Sequence, residues 1–106
     1  MLKVVVIKDQ HCPVITCDFC GEVIEDAEGG NYEWEVDEQG RPVTGEIFFT
    51  HKGRCFLAFE EDRGGSSCWY TGELEVLFVY LIHNLKVDLE AAKRRADLLD
   101  GFRRAR

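Results

Sequence analysis

The sequence predicts an α+β fold, strands first and helices last, and three observations carry that expectation. In NYEWEV, Tyr32, Trp34 and Val36 fall on one face and Glu33 and Glu35 on the other, the period of a half-buried strand. In TGELEVLFVYLIHNLK, Leu74, Leu77, Phe78, Leu81, Ile82 and Leu85 recur at helical spacing. On either side of the first stretch lie CDFC at 17–20 and HKGRC at 51–55, two short clamps of metal-binding residue types.

Taken in order, Leu2 to Lys8 is β-branched and apolar and reads as an N-terminal strand. PVIT leads into the first cysteine pair as a short extended piece. After NYEWEV, DEQGRP is a turn, with Gly40 free to take positive φ and Pro42 fixing the exit. TGEIFFT returns as the partner strand and completes a hairpin whose glutamates read as a solvated face. HKGRCFLAFEED, with apolar Cys55, Phe56 and Phe59, reads as a short helix stopped by Gly64 and Gly65. RGGSS is a loop. Thr71 then serves as the expected cap of a second helix. Val76, Val79 and Tyr80 fill much of its remaining circumference, so burial on most sides is expected. The continuous run Val76 to Ile82 would also suit a buried strand, and length decides for the helix. Asp88 caps a third helix with Leu89, Ala92, Ala96, Leu99 and Phe102 as its stripe, ending near Gly101.

At 106 residues and 12.2 kDa the chain is expected to be one domain, 1–106, with a clamp-bearing module over 10–65 and a helical C-terminal segment over 70–104. A core this small gains from a staple. The apolar run near the start, Val4 to Ile7, is too short for a signal peptide, and the longest, Val76 to Ile82, is too short for a membrane span. A soluble, cytoplasmic chain is expected. Its formal charge is −7, with eight acidic and no basic residues from Glu22 to Glu38. Residues 87–106 hold six Lys/Arg against four Asp/Glu, a charge of +2, which leaves −9 for the remainder. Only the tail suits a polyanion.

Five cysteines in a cytosolic chain suit a metal better than a disulfide framework, and the odd count leaves a thiol over. Cys17 and Cys20, on a tight turn followed by Gly21, bring two sulfurs to one point. His51 and Cys55, four apart, would share one face at the start of a helix, where free amides favour thiolate. Cys17, Cys20, His51 and Cys55 together complete a tetrahedral site for one structural Zn2+; availability and the histidine favour zinc over iron. His11 and Cys12 stand just upstream as alternative ligands, though Pro13 and the short gap to Cys17 make a clamp less natural. Cys68, beside Trp69, reads as a small buried hydrophobe, and His83 as a packed, hydrogen-bonded histidine.

The order Cys-x-x-Cys-Gly, hairpin, then His-x3-Cys resembles a treble-clef zinc finger over about residues 14–62. The resemblance implies a small treble-clef-like fold of knuckle, β-hairpin and short helix, flanked by the N-terminal strand and the C-terminal two-helix segment. The ligand set and long spacing are also similar to the finger of poly(ADP-ribose) polymerase type, which uses His-x2-Cys and is basic where this chain is acidic. CDFCGEVIEDAE and FTHKGRC are similar to stretches of small uncharacterised prokaryotic zinc-binding proteins.

Four ligands leave no open position for water or substrate, and three thiolates quench Lewis acidity, so a non-enzyme is expected. No Ser-His-Asp arrangement or phosphate-cradling loop is recognisable; a hydrolase or nuclease has little support. The leading expectation is a protein-interaction or regulatory module that meets a protein partner or a second copy through its C-terminal helices. The alternative is a nucleic-acid-binding finger using Arg103, Arg104 and Arg106 of the tail with the aromatics Tyr32, Trp34, Phe48 and Phe49.

Overall fold

A computed structural model describes residues 1–63 and 68–99. It is α+β, with two small antiparallel sheets and three α-helices. β1 (Leu2–Ile7) and β2 (Gln10–Ile15) form the first sheet, with Leu2 opposite Ile15 and Ile7 opposite Gln10. The N-terminal strand is therefore half of a hairpin. Its two-residue turn places Lys8 and Asp9 at φ 50° and 64°, the left-handed pair that matches strand twist.

After a short 3-10 turn over Ala27–Gly29 comes the second sheet. β3 (Gly30–Val36) lies at its centre, with β4 (Phe48–His51) on one edge and β5 (Cys68–Glu73) on the other. The DEQGRP turn forms as expected. Asp37 Oδ1 accepts from the Gln39 and Arg41 amides, both at 2.9 Å, and Gly40 has φ 80°. The return strand is shorter than expected, since TGEIFFT joins the ladder only from Phe48.

β5 is a strand that sequence reading did not anticipate. Thr71 lies inside it opposite Glu33, so it caps no helix; the helix begins at Leu74, after Glu73. Gly72 shows why this strand fits where it does. The Tyr32 ring crosses it so closely that a Cβ there would stand 2.6 Å from ring atoms. Beside this pair, Trp34 and Tyr70 stack at 4.6 Å between centroids.

α1 (Arg54–Asp62) covers one face of the second sheet and α2 (Leu74–Asn84) the other. The α2 face holds the apolar core: Tyr32, Ile24, Leu74, Leu77 and Cys17, with Ile15, Phe49 and Cys55 packed around them. Under α1, Phe48, Phe59 and Trp69 pack ring to ring at 5.2–6.2 Å, and the Arg63 guanidinium lies 4.4 Å over Phe48. The same face buries Glu33 completely, with 0% exposure. The alternation of NYEWEV is a correct guide to two faces, but the glutamate face is not all solvated. α1 roofs it.

α3 (Leu89–Leu99) starts at the expected cap, the Ala91 amide donating to Asp88 Oδ1 at 3.0 Å. The expected end at Gly101 and the stripe residue Phe102 lie outside the described residues, as do the stop at Gly64 and Gly65. α2 departs most from expectation. Only Leu74 and Leu77 are buried, while Val79 is 63% exposed and Leu85 70%. α3 packs too loosely against the rest to cover what α2 leaves open.

Candidate metal centre

The first half-site is the tip of a hairpin that grows out of β2. Thr16 and Val23 pair across it, and the Cys17 amide donates to the Glu22 carbonyl at 2.8 Å. The Gly21 amide closes the turn on the Cys17 carbonyl at 2.9 Å. In that curl the Phe19 and Cys20 amides donate to Cys17 Sγ at 3.4 and 3.5 Å. The donors that stabilise a thiolate are thus built into the backbone.

Asp18 ties this tip to the second half-site. Its amide donates to the Phe49 carbonyl at 2.7 Å, and its Oδ2 accepts from the Phe49 amide at 2.8 Å. Two residues later β4 ends at His51. Sequence reading missed Asp18 because a carboxylate inside a knuckle has no spacing signature of its own.

His51 and Cys55 do not share a helix face, which corrects the expected geometry. His51 is paired with Gly30 in the sheet ladder and is the last residue of β4, whereas Cys55 is the second residue of α1. Between them Gly53 adopts φ 84°, a left-handed turn that swings strand into helix. Strand end and helix start converge where one continuous helix was expected.

The ligand atoms of Cys17, Cys20, His51 and Cys55 all lie within 4.8 Å of one another, so the group could hold a metal ion. Among the described residues no other group of three or more His, Cys, Asp or Glu converges in this way. His51 Nε2 stands 3.2 Å from the Val23 carbonyl, while Nδ1 lies 3.5 Å from Cys20 Sγ. A proton on Nε2, donated to Val23, leaves the Nδ1 lone pair facing the sulfurs.

Electrostatics agree with that arrangement. Burial raises the Cys17 pKa, but the Cys20, His51 and Phe19 amides and the His51 side chain outweigh it, and the thiol falls to about 6. Burial first, then Cys20 and Cys17 beside it, pushes Cys55 up to about 11. One anionic sulfur is well supported, but additional ones repel. A divalent cation among them removes the conflict, and soft sulfur with imidazole is the donor set zinc accepts.

The other singled-out residues fall elsewhere. Cys12 is buried in β2 with Sγ 3.6 Å from the Gln10 carbonyl, and His11 beside it is exposed; neither joins the cluster. Cys68, expected to be buried, is exposed at the start of β5, an edge strand of the second sheet. His83, expected to be packed, is exposed on the uncovered side of α2. Arg103, Arg104 and Arg106 lie outside the described residues. No described helix is long and apolar enough to cross a membrane. No protein-family model, no curated protein and no solved structure matches this chain.

Proposed function

We propose that this chain is a structural-zinc protein, a treble-clef-like finger that serves as a protein-interaction or regulatory module. The convergence of four ligand atoms within 4.8 Å, drawn from two segments far apart in sequence, carries the reading. Cys17, Cys20 and Cys55 would hold the ion through sulfur and His51 through Nδ1. Bound, the ion supplies cross-linking and charge neutralisation. Four protein ligands complete a tetrahedron without water, so the role proposed is an anchor and not a reagent. The order of knuckle, β3–β4 hairpin and α1, with one half-site at the knuckle and the other at the strand–helix junction, supports the treble-clef comparison. A reducing cytoplasm would keep the thiols available.

The interaction role is supported by the C-terminal helices, where Val79 and Leu98 are among the large apolar side chains left exposed. Elemental analysis of the chain purified under reducing conditions tests the metal. About one zinc per chain is expected, bound tightly enough to survive dialysis. A chain that stays folded and metal-free after incubation with zinc overturns the reading.

A further inference from the structure

Between the two half-sites runs a link that uses no ligand atom. β4 is an edge strand of the second sheet, and at alternate residues an edge strand turns its N–H and C=O away from its neighbour. Phe49 is such a residue, and Asp18 takes both groups. Its main-chain amide donates to the Phe49 carbonyl at 2.7 Å, and its Oδ2 accepts from the Phe49 amide at 2.8 Å. One residue of the knuckle thus does for β4 what a paired strand would do. The Asp18 side chain is only 17% exposed, so water competes little for its oxygen.

The place of these residues gives the clamp its leverage. Asp18 follows Cys17 directly, and Phe49 precedes His51 by two residues on the same face of β4. A shift of one residue along β4 would displace His51 by about 3.4 Å and turn its side chain to the other face. That exceeds a whole Zn–N bond, about 2.0–2.1 Å. Reach is therefore the property that matters at position 18. An aspartate oxygen returns to the amide of the same residue whose carbonyl its own N–H holds. Asparagine offers an oxygen at the same reach without the charge. Glutamate keeps the charge and carries its oxygens one methylene too far. The Met1 amino group, 3.4 Å from the same oxygen, is itself largely exposed and adds little.

We infer that Asp18 is a positioning residue of the metal centre: its clamp on Phe49 sets the register between the knuckle and β4, and through it the affinity for Zn2+. This role deepens the structural-zinc reading proposed above and rests on it.

Zinc affinity of the full chain, measured by competition with a chromophoric chelator, tests it, with the Co2+ spectrum of each variant reporting the coordination. Asp18→Ala should weaken zinc binding by about tenfold to a hundredfold, as loss of an outer-shell partner does. Asp18→Glu should lose nearly as much. Asp18→Asn should restore both the affinity and the Co2+ bands of the parent chain. Tyr70→Ala removes the stack on Trp34 at the far edge of the same sheet, so it should lower thermal stability and leave zinc affinity unchanged. Should Asp18→Ala fail to fold, the order of the asparagine and glutamate variants decides. Parent-like affinity in Asp18→Ala, tighter binding by Asp18→Glu than by Asp18→Asn, or an equal loss in Tyr70→Ala overturns the clamp and leaves the metal reading standing. A parent chain that takes up neither Zn2+ nor Co2+ overturns both.

Discussion

The two ends of β4 pose the same electrostatic problem, and the chain answers it in different ways. At His51, three thiols and an imidazole crowd together. Opposite Phe48, Glu33 is wholly buried near the carboxyl of Glu60. Both are places where negative charge would be confined. The thiol cluster is half-open, its donors are soft, and backbone amides point at one sulfur. That is an environment prepared for a cation. Glu33 lies in the compartment roofed by α1 and its aromatic rings, and neither of its carboxyl oxygens has a hydrogen-bond partner among the described residues. Burial first, then Glu60, raises its pKa from 4.5 to about 8, with Thr71 pulling weakly the other way. Such a group takes up a proton. Acidic residues brought together therefore do not by themselves signify a metal; donor softness, access and the hydrogen bonds around them decide.

The strongest way to break this comparison is to remove a ligand. A structural zinc contributes an apparent 10–16 kcal/mol or so in finger peptides, about the whole stability of a small domain, roughly 5–15 kcal/mol. Cys17→Ala or Cys55→Ala should abolish stoichiometric zinc and unfold the knuckle and strand–helix junction, seen as collapsed amide dispersion in NMR spectra. Cys12→Ala, equally buried but outside the cluster, should keep its zinc. Equal metal loss from the Cys12 variant would show that the ligand set is wrong.

What the sequence revealed at these two places differs for physical reasons. Metal ligands are read from residue identity, so Cys-x-x-Cys and His-x3-Cys can be paired from the order of residues alone. How they meet is not legible in the same way. His51 and Cys55 fit a helical repeat, yet Gly53 lies between them, and its left-handed turn puts strand on one side and helix on the other. The Asp88 cap is legible because it acts within three residues. Glu33 is not, because alternation separates two faces without saying what will cover each; its roof comes from α1, over twenty positions away. β5 hides behind Thr71-Gly72-Glu73, which looks like a helix start. Its real determinant is the Tyr32 ring across Gly72. In α2, periodicity marks the inward stripe, but the abundance of apolar residues implies a cover that the described fold does not supply.

A smaller perturbation sharpens the proton side. The folded pKa of Glu33 is raised, so the native state holds its proton over a range in which the unfolded chain has released it. Stability from this group is complete below pH 4.5 and is lost as pH climbs through about 8. Between those values the decline should approach about 1 kcal/mol per pH unit. Glu33→Gln keeps the shape without the ionisation, and should flatten the profile and make the variant the more stable form at about pH 8. Urea melts of both proteins from about pH 5 to about pH 8, with zinc saturating, isolate the effect because the metal contribution is common to both. Parallel pH profiles would mean that Glu33 is ionised in the fold and has found a cation.

The smallest expected effect concerns Thr50, the residue before His51 and the cross-strand neighbour of Asn31. It is completely buried, and its Oγ1 has no hydrogen-bond partner among the described residues. Unlike Glu33 it cannot escape by taking up a proton, so the fold bears the desolvation of a hydroxyl in full. Valine has the same branched outline and suits the strand equally well. Thr50→Val should therefore raise stability by about 0.5–1 kcal/mol, read as a higher urea midpoint at unchanged slope and unchanged zinc content. A loss of similar size would show that the hydroxyl is satisfied by an ordered water under α1. The α1 face would then be a hydrated polar compartment, in which Glu33 could keep its charge at neutral pH.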